Sequence, residues 1–259
     1  MRRWTATLAI VVIAACTTPT ATAPHASPIN EASVPASLAA SVPPGAPIED
    51  INYFREWPSP NDGLYNTRVA SSTISAANVA RLAVAWTLPL MFWGPSGRDV
   101  ANPVIANGVA YLQDGMSNVT AVNIATGRTL WTHSFNSSDY GPNGVTLAYG
   151  RIYGVTSSGV FALDAATGRE DWYRASFGAG TARFDIAPEV ANHKVFVASA
   201  LTAGGGLVYA LDATTGATDW SFQTVVDKTG QGLRSTAGGA WDPFLVGPDG
   251  SVYVGTGNP

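Results

Sequence analysis

Residues 162–172, ALDAATGREDW, decide the fold of this chain because two similar stretches accompany them. Residues 121–131 read AVNIATGRTLW and residues 210–220 read ALDATTGATDW, so all three follow the pattern A-[VL]-[DN]-x-x-T-G-x-x-x-W. Three tryptophans close these stretches, roughly 40 to 50 residues apart: Trp131, Trp172 and Trp220. A period of about 40–50 residues is typical of the four-stranded blade of a β-propeller.

Each part of the repeat has a structural reason. The Asp or Asn at its third position accepts hydrogen bonds from backbone N–H groups two or three residues further on, which forms an Asx turn. The glycine supplies a positive φ without steric cost at Gly127, Gly168 and Gly216. We expect the tryptophan ring to fill the gap between adjacent blades, with its indole N–H bonded to backbone.

Upstream of each repeat stand two apolar runs separated by Gly, Asn or Asp, which is the pattern of a β-hairpin. These pairs occupy residues 103–112, 147–156, 188–199 and 243–257. Trp86 precedes the first repeat by a similar period. The sequence therefore predicts an all-β fold, a β-propeller with about three complete four-stranded blades, a leading fragment and an incomplete fourth blade.

Composition narrows the functional classes. Hydrophobic residues make up 46% of the chain and charged residues 12%, with 27 Gly and 17 Pro, as expected for short strands joined by many turns. The net charge of −4 and the lack of a Lys/Arg cluster after residue 3 exclude nucleic acid as an expected partner. The single cysteine excludes an intramolecular disulfide and a cysteine metal cage.

The N-terminus indicates export. Residues 1–15 join a basic start to an apolar core too short to cross a bilayer of ~30 Å, which is typical of a signal peptide. Cys16 follows at once and resembles the lipidated first residue of a bacterial lipoprotein; a plain cleavage site beside a chance cysteine is the alternative. Residues 16–50, rich in Thr, Ala, Pro and Ser, are predicted to be a disordered tether to the membrane, and residues 51–259 the propeller.

The TG-W repeat is similar to the tryptophan-docking motif of dehydrogenases that depend on pyrroloquinoline quinone (PQQ). Residues 57–86 resemble the segment that opens the domain of quinoprotein alcohol dehydrogenases, and residues 238–259, GGAWDPFLVGPDGSVYVGTGNP, resemble their cofactor-site stretch. The resemblance implies an eight-bladed ring, of which this chain would be an N-terminal portion of about four blades.

The same resemblance implies a set of site residues. Trp241 stands where the family stacks a tryptophan on PQQ, Thr156 where a threonine bonds PQQ, and Asn258 where an asparagine binds both PQQ and Ca²⁺. The family's catalytic Asp base would lie beyond Pro259.

Three positions depart from the family pattern. Ser137 and Ser138 replace two adjacent cysteines, and Asn143 replaces an arginine that contacts the quinone. The loop at residues 198–206 has no carboxylate where a glutamate would bind Ca²⁺, a cation that needs several oxygen ligands. Two nearby acids are the alternatives for that ligand: Asp185 and Glu189.

Two functions remain open from sequence. The first is a PQQ-dependent dehydrogenase outside the cytoplasm that oxidises an alcohol or sugar-type substrate. It would pass electrons to a separate acceptor such as a cytochrome or quinone, because the sequence has no C-x-x-C-H haem motif. The second is a non-catalytic lipoprotein propeller that acts as a scaffold for envelope protein assembly, which the missing glutamate and cysteines favour.

Overall fold

The computed structural model describes residues 5–8, 44–69, 72–91, 101–138, 143–175, 177, 182–201, 206–226, 229 and 238–257. Cys16 and Asn258 lie outside these residues. Within these residues the structure is built of β-strands apart from a short helix, α1 (Ile48–Asn52), and a 3-10 turn (Val79–Arg81). Within the described ranges, no helix is long and apolar enough to cross a bilayer.

Two antiparallel strands precede the blades. Strand β1 (Thr5–Leu8), inside the predicted signal peptide, pairs with β2 (Leu88–Met91), which follows Trp86. The outer face of the first blade packs against this region, where Leu90 joins Ala110, Leu112 and Val122 in one apolar cluster.

Three consecutive antiparallel sheets confirm the predicted blades. The first runs in the order β3 (Val104–Ala106), β4 (Val109–Gln113), β5 (Val119–Asn123) and β6 (Thr129–His133). The second runs from β7 (Val145–Ala148) through β8 (Arg151–Thr156) and β9 (Gly159–Asp164) to β10 (Glu170–Arg174). In both, the chain order of the strands is their spatial order, as in a propeller blade.

The third blade has an additional short strand, and a fourth is partly present. β11 (Arg183–Phe184) and β12 (Glu189–Ala191) both pair with β13 (Lys194–Leu201), followed by β14 (Leu207–Asp212) and β15 (Thr218–Gln223). The fourth begins with the pairs β16 (Gly239–Ala240) with β19 (Thr256–Gly257) and β17 (Leu245–Val246) with β18 (Val252–Tyr253).

The hydrophobic core lies between neighbouring blades, so the middle strands are buried on both faces. Val160, Phe161, Ala162 and Leu163 are all fully buried, although consecutive side chains of a strand point to opposite faces. Val160 and Ala162 pack towards the third blade, whereas Phe161 and Leu163 pack towards the first. Burial on both faces explains why the repeat is apolar at consecutive positions.

The tryptophans join each outer strand to the next blade, as the repeat predicts. Their indole N–H groups donate to backbone carbonyls: Trp86 to Ile124 (2.8 Å), Trp131 to Ala165 (3.0 Å) and Trp172 to Ala213 (3.1 Å). Trp220 occupies the same place on β15; its ring packs against Phe196 and is 40% exposed.

The turn that receives each tryptophan has the predicted chemistry. The Asp164 carboxylate accepts hydrogen bonds from the Thr167 hydroxyl (2.6 Å) and backbone N–H (2.8 Å), which lower the pKa of Asp164. Gly168 follows with φ +71°, and a Cβ there would lie 2.4 Å from the Trp131 ring. This glycine is therefore required both by backbone conformation and by the close approach of the ring.

The propeller fold begins earlier than residue 51. In α1, the Glu49 carboxylate accepts hydrogen bonds from the backbone N–H groups of Tyr149 (2.9 Å) and Gly150 (2.6 Å) in the β7–β8 turn. The Gly45 carbonyl accepts one from Asn192 in the β12–β13 turn (2.8 Å). Residues 44–50, which the sequence prediction assigned to the tether, thus pack on the second and third blades.

Asp50, beside Glu49, provides a pH-dependence prediction. Burial and the negative charges of Glu49 and Asp62 raise the pKa of Asp50 to about 7, although a hydrogen bond with Ser59 acts in the opposite direction. Burial and the charge of Asp50 also raise the pKa of Glu189 well above its usual value. A carboxyl whose pKa is raised in the folded state stabilises the fold while it is protonated. The free energy of unfolding therefore falls as pH rises from the unfolded pKa, about 4, to the folded pKa, about 7.

Asp50→Asn keeps the neutral shape at every pH. We therefore expect the substitution to change the free energy of unfolding little at pH 4 and to raise it at pH 8, as measured by urea denaturation. An equal change at both pH values would contradict a buried carboxyl that deprotonates only near neutrality.

Candidate functional site

A cavity of about 180 Å³ lies where the inner strands of the blades begin. Each inner strand starts at this end, and the hairpin turns that follow lie at the opposite end. The lining comes from the N-terminal segment and from all four blades: Pro60, Asn61, Arg68, Asn102, Asn143, Gly144, Ile186, Ala187, Trp241 and Pro243. We call it the axial pocket.

Trp241 lines this pocket between β16 and β17, where the sequence resemblance places a cofactor-stacking tryptophan. Its indole nitrogen is buried and has no hydrogen-bond acceptor among the described residues. A Cβ at Gly257 would lie 3.7 Å from the indole ring. Because an unsatisfied buried N–H costs free energy, this donor is available to an acceptor atom in the pocket.

The N-terminal segment supplies two further donors that sequence reasoning missed. The Arg68 Nε donates to the Asn61 Oδ1 at 3.1 Å, and the Asn61 Nδ2 is buried without an acceptor in the described structure. Asn143, at the position of the family's arginine, lines the same pocket. A cationic side chain therefore reaches the pocket from another segment. Only the three-dimensional course of residues 57–68 reveals this.

Thr156 is not brought into the axial pocket. Its side chain is fully buried at the end of β8, and its hydroxyl is 3.0 Å from the Tyr173 hydroxyl. The adjacent Ser157 hydroxyl lies 3.2 Å from that of Ser137, one of the two serines at the family's cysteine positions. The predicted contact of Thr156 with PQQ therefore stays a prediction, while its observed partner is a tyrosine of the same blade.

The described residues do not form a calcium site. None of the side chains that line the axial pocket is acidic, and no group of three or more His, Cys, Asp or Glu in the described ranges is arranged to hold a metal ion. Asp185 and Glu189 are buried, yet neither is among the lining residues. Because Ca²⁺ needs several oxygen ligands, the described lining of the axial pocket does not fit this ion.

The donor set of the pocket fits part of an acidic quinone. PQQ carries carboxylates and quinone carbonyls, all of which accept hydrogen bonds, and the pocket offers an indole N–H, an amide N–H₂ and a guanidinium. The volume is below the roughly 300–1,000 Å³ typical of small-molecule sites, so the described lining would hold only part of such a ligand.

Two larger cavities lie at the first and the last blade. One of about 960 Å³ lies beside the first blade against Trp57, Ile105 and Ile124, and it shares Asn61, Arg68 and Asn102 with the axial pocket. The other, of about 730 Å³, is lined by Trp220, Phe222 and Tyr253 between the third and fourth. Both are largely apolar faces like those that neighbouring blades cover elsewhere in the fold.

Comparison with known proteins identifies the family to which the fold belongs. A family model described as glucose/ethanol/alcohol dehydrogenase, beta-propeller domain, matches residues 57–149, and one described as outer membrane protein assembly factor BamB matches residues 115–258. The quinohemoprotein alcohol dehydrogenase of Comamonas testosteroni is 30% identical over 240 residues. The chain belongs to the quinoprotein alcohol dehydrogenase-like β-propeller family.

Members of this family match most of the chain. The Comamonas enzyme covers 78% of it, and the quinohemoprotein alcohol dehydrogenase ADH IIB of Pseudomonas putida covers 86%, also at 30% identity. The chain in turn spans only about a third of these relatives, 33% and 37% of their lengths. It therefore corresponds to part of such a protein.

Solved structures show the same fold. The crystal structure of the Comamonas enzyme superimposes with a TM-score of 0.67 at 27% identity, covering 79% of this chain and 35% of the enzyme. BamB from Moraxella catarrhalis superimposes with a TM-score of 0.50 at 21% identity, covering 68% of this chain and 50% of BamB. The BamB likeness shows the fold alone, so it does not favour the scaffold alternative over the dehydrogenase.

Proposed function

We propose that this chain is part of a PQQ-dependent dehydrogenase that oxidises an alcohol or sugar-type substrate. The observation that carries the proposal is the unsatisfied indole N–H of Trp241 in a donor-lined axial pocket. The supporting comparison is the 30% identity to quinohemoprotein alcohol dehydrogenases over most of the chain. A scaffold has no evident use for buried donors that face a cavity.

In this proposal Trp241 supplies one face of the cofactor site. Its flat ring offers stacking area and its N–H a hydrogen bond, while Pro243 and Ile186 exclude water nearby. When bound, PQQ would supply the redox chemistry, as the acceptor of the hydride that the alcohol carbon loses. The fixed donors of the pocket orient an acidic quinone without reorganising, because they are held by packed strands.

Other parts of the proposal lie outside the described residues. Asn258 is the expected ligand of both PQQ and Ca²⁺, and the Asp base is expected beyond Pro259. The electron acceptor is proposed to be a separate cytochrome or quinone. Export and a lipid anchor at Cys16 on a bacterial membrane are proposed from the basic start, the apolar core and the cysteine that follows them.

The proposal is tested on the product of the complete gene. After incubation with PQQ and Ca²⁺, we expect primary alcohols to reduce an artificial electron-acceptor dye, with no reduction when PQQ is omitted. Glycerol and glucose in parallel assays distinguish alcohol from sugar substrates. If PQQ-loaded protein reduces no dye with any of them, and the protein instead co-purifies with envelope-assembly proteins, the scaffold function replaces this proposal.

A further inference from the structure

The segment from Trp57 to Arg68 crosses the inner strands of several blades. The backbone of Trp57 exchanges hydrogen bonds with Ile105 on β3 (2.9 and 2.7 Å). The Pro58 carbonyl then accepts from Leu147 on β7 (3.2 Å), and the Leu64 carbonyl accepts from Val246 on β17 (3.2 Å). The backbone of the segment is thus fixed to the first, second and fourth blades.

Hydrogen bonds within this segment hold Asn61 and Arg68 together. The Ser59 hydroxyl accepts from the backbone N–H of Gly63 (2.6 Å), and the backbone N–H of Arg68 donates to the Asn61 carbonyl (3.0 Å). The Arg68 Nε donates a hydrogen bond to the Asn61 Oδ1 at 3.1 Å. Because a guanidinium only donates, this contact assigns the oxygen of the Asn61 amide to Arg68 and directs the Nδ2 elsewhere.

Asn61 is 5% exposed, and its Nδ2 has no acceptor among the described residues. The same is true of the Trp241 Nε1, and both side chains line the axial pocket together with Arg68. Two buried unsatisfied donors and a guanidinium in a pocket with no acidic lining residue favour an anionic oxygen ligand. Arg68 is itself exposed, so its guanidinium stays in contact with solvent, and an anionic group in the pocket would gain a charge-assisted hydrogen bond from it.

We propose that Asn61 and Arg68 form a carboxylate-binding subsite of the axial pocket, which fixes the orientation of a small, carboxylated ligand against Trp241. The inference rests on the proposed function in taking PQQ as that ligand. Arg68 supplies the charge, and Asn61 supplies an N–H that Arg68 holds in place. The two residues are thereby specificity determinants on the N-terminal segment.

The test is a calorimetric titration of PQQ into the protein and two variants. Asn61→Asp replaces the N–H₂ donor with a negative oxygen while keeping the partner of Arg68, and Arg68→Gln removes the charge. We expect Arg68→Gln to weaken PQQ binding at least about tenfold and to reduce the salt dependence of binding. Asn61→Asp should weaken binding at least about tenfold or abolish it. Arg55→Gln is the matched control, because Arg55, Asn61 and Arg68 all line the 960 Å³ cavity, whereas only Asn61 and Arg68 also line the axial pocket.

The outcomes separate the two proposals. If the unaltered protein does not bind PQQ, the proposed function fails. If it binds PQQ and both variants bind as tightly as the Arg55→Gln control, the subsite is wrong and the proposed function stands. Circular dichroism and the thermal midpoint establish that the variants are folded. The trimethyl ester of PQQ, which lacks the negative charges, should bind the unaltered protein and Arg68→Gln with similar affinity.

Discussion

Replacing the partly buried Trp172 with alanine is expected to lower the free energy of unfolding by about 3 kcal/mol, the lower end of the range for deleting large aromatic side chains from a core. The ring bridges the second and third blades, with its N–H on the Ala213 carbonyl at 3.1 Å. It also lies so close to Gly216 that a Cβ there would be 2.7 Å from the ring. The substitution leaves a cavity between blades and removes one of the two hydrogen bonds to the Ala213 carbonyl, which keeps the bond from the Tyr153 hydroxyl (3.0 Å). Urea denaturation should therefore show an earlier midpoint.

Trp220→Ala is the matched control for Trp172→Ala. Trp220 stands at the same position of the repeat, yet it is 40% exposed and packs mainly on Phe196. We expect it to cost less than half as much as Trp172→Ala in this chain. Equal losses for the two substitutions would show that the stability of the chain does not come from docking between blades.

Trp241→Ala is expected to weaken PQQ binding by about 30- to 150-fold, equivalent to about 2–3 kcal/mol. The loss combines the stacking face of the ring with the hydrogen bond of its indole N–H, which is buried and unsatisfied in the axial pocket. Trp220→Ala serves again as the control, since it removes a tryptophan outside this pocket. Calorimetry on both variants at equal salt gives the comparison.

Much of the fold was predictable from sequence because the repeat specifies local chemistry. The Asp164 carboxylate and the indole N–H of Trp131 form the hydrogen bonds that the repeat implies. Gly168 likewise adopts the positive φ expected at its position. The hairpins upstream of each repeat also lie where the apolar runs and turns place them. These features depend on short sequence windows, for which propensity and turn geometry suffice.

The axial site was only partly predictable because it depends on contacts between distant segments. Trp241 was found through family resemblance, whereas Asn61 and Arg68 stand in a segment with no periodic pattern. That segment reaches the fourth blade, where the Asn66 amide donates to the Phe244 carbonyl at 2.9 Å. Similarly, nothing in a Pro- and Ala-rich stretch indicates that Glu49 caps the Tyr149–Gly150 turn. Such pairings follow from the way the blades lie against one another rather than from local sequence.

The most direct test of the account is a calorimetric titration of PQQ into the unaltered protein. The account predicts saturable binding of one PQQ per chain, with quenching of tryptophan fluorescence that is largely lost in Trp241→Ala. Binding that is absent, or that is equally strong without Trp241, would contradict the assignment of the axial pocket as a cofactor site.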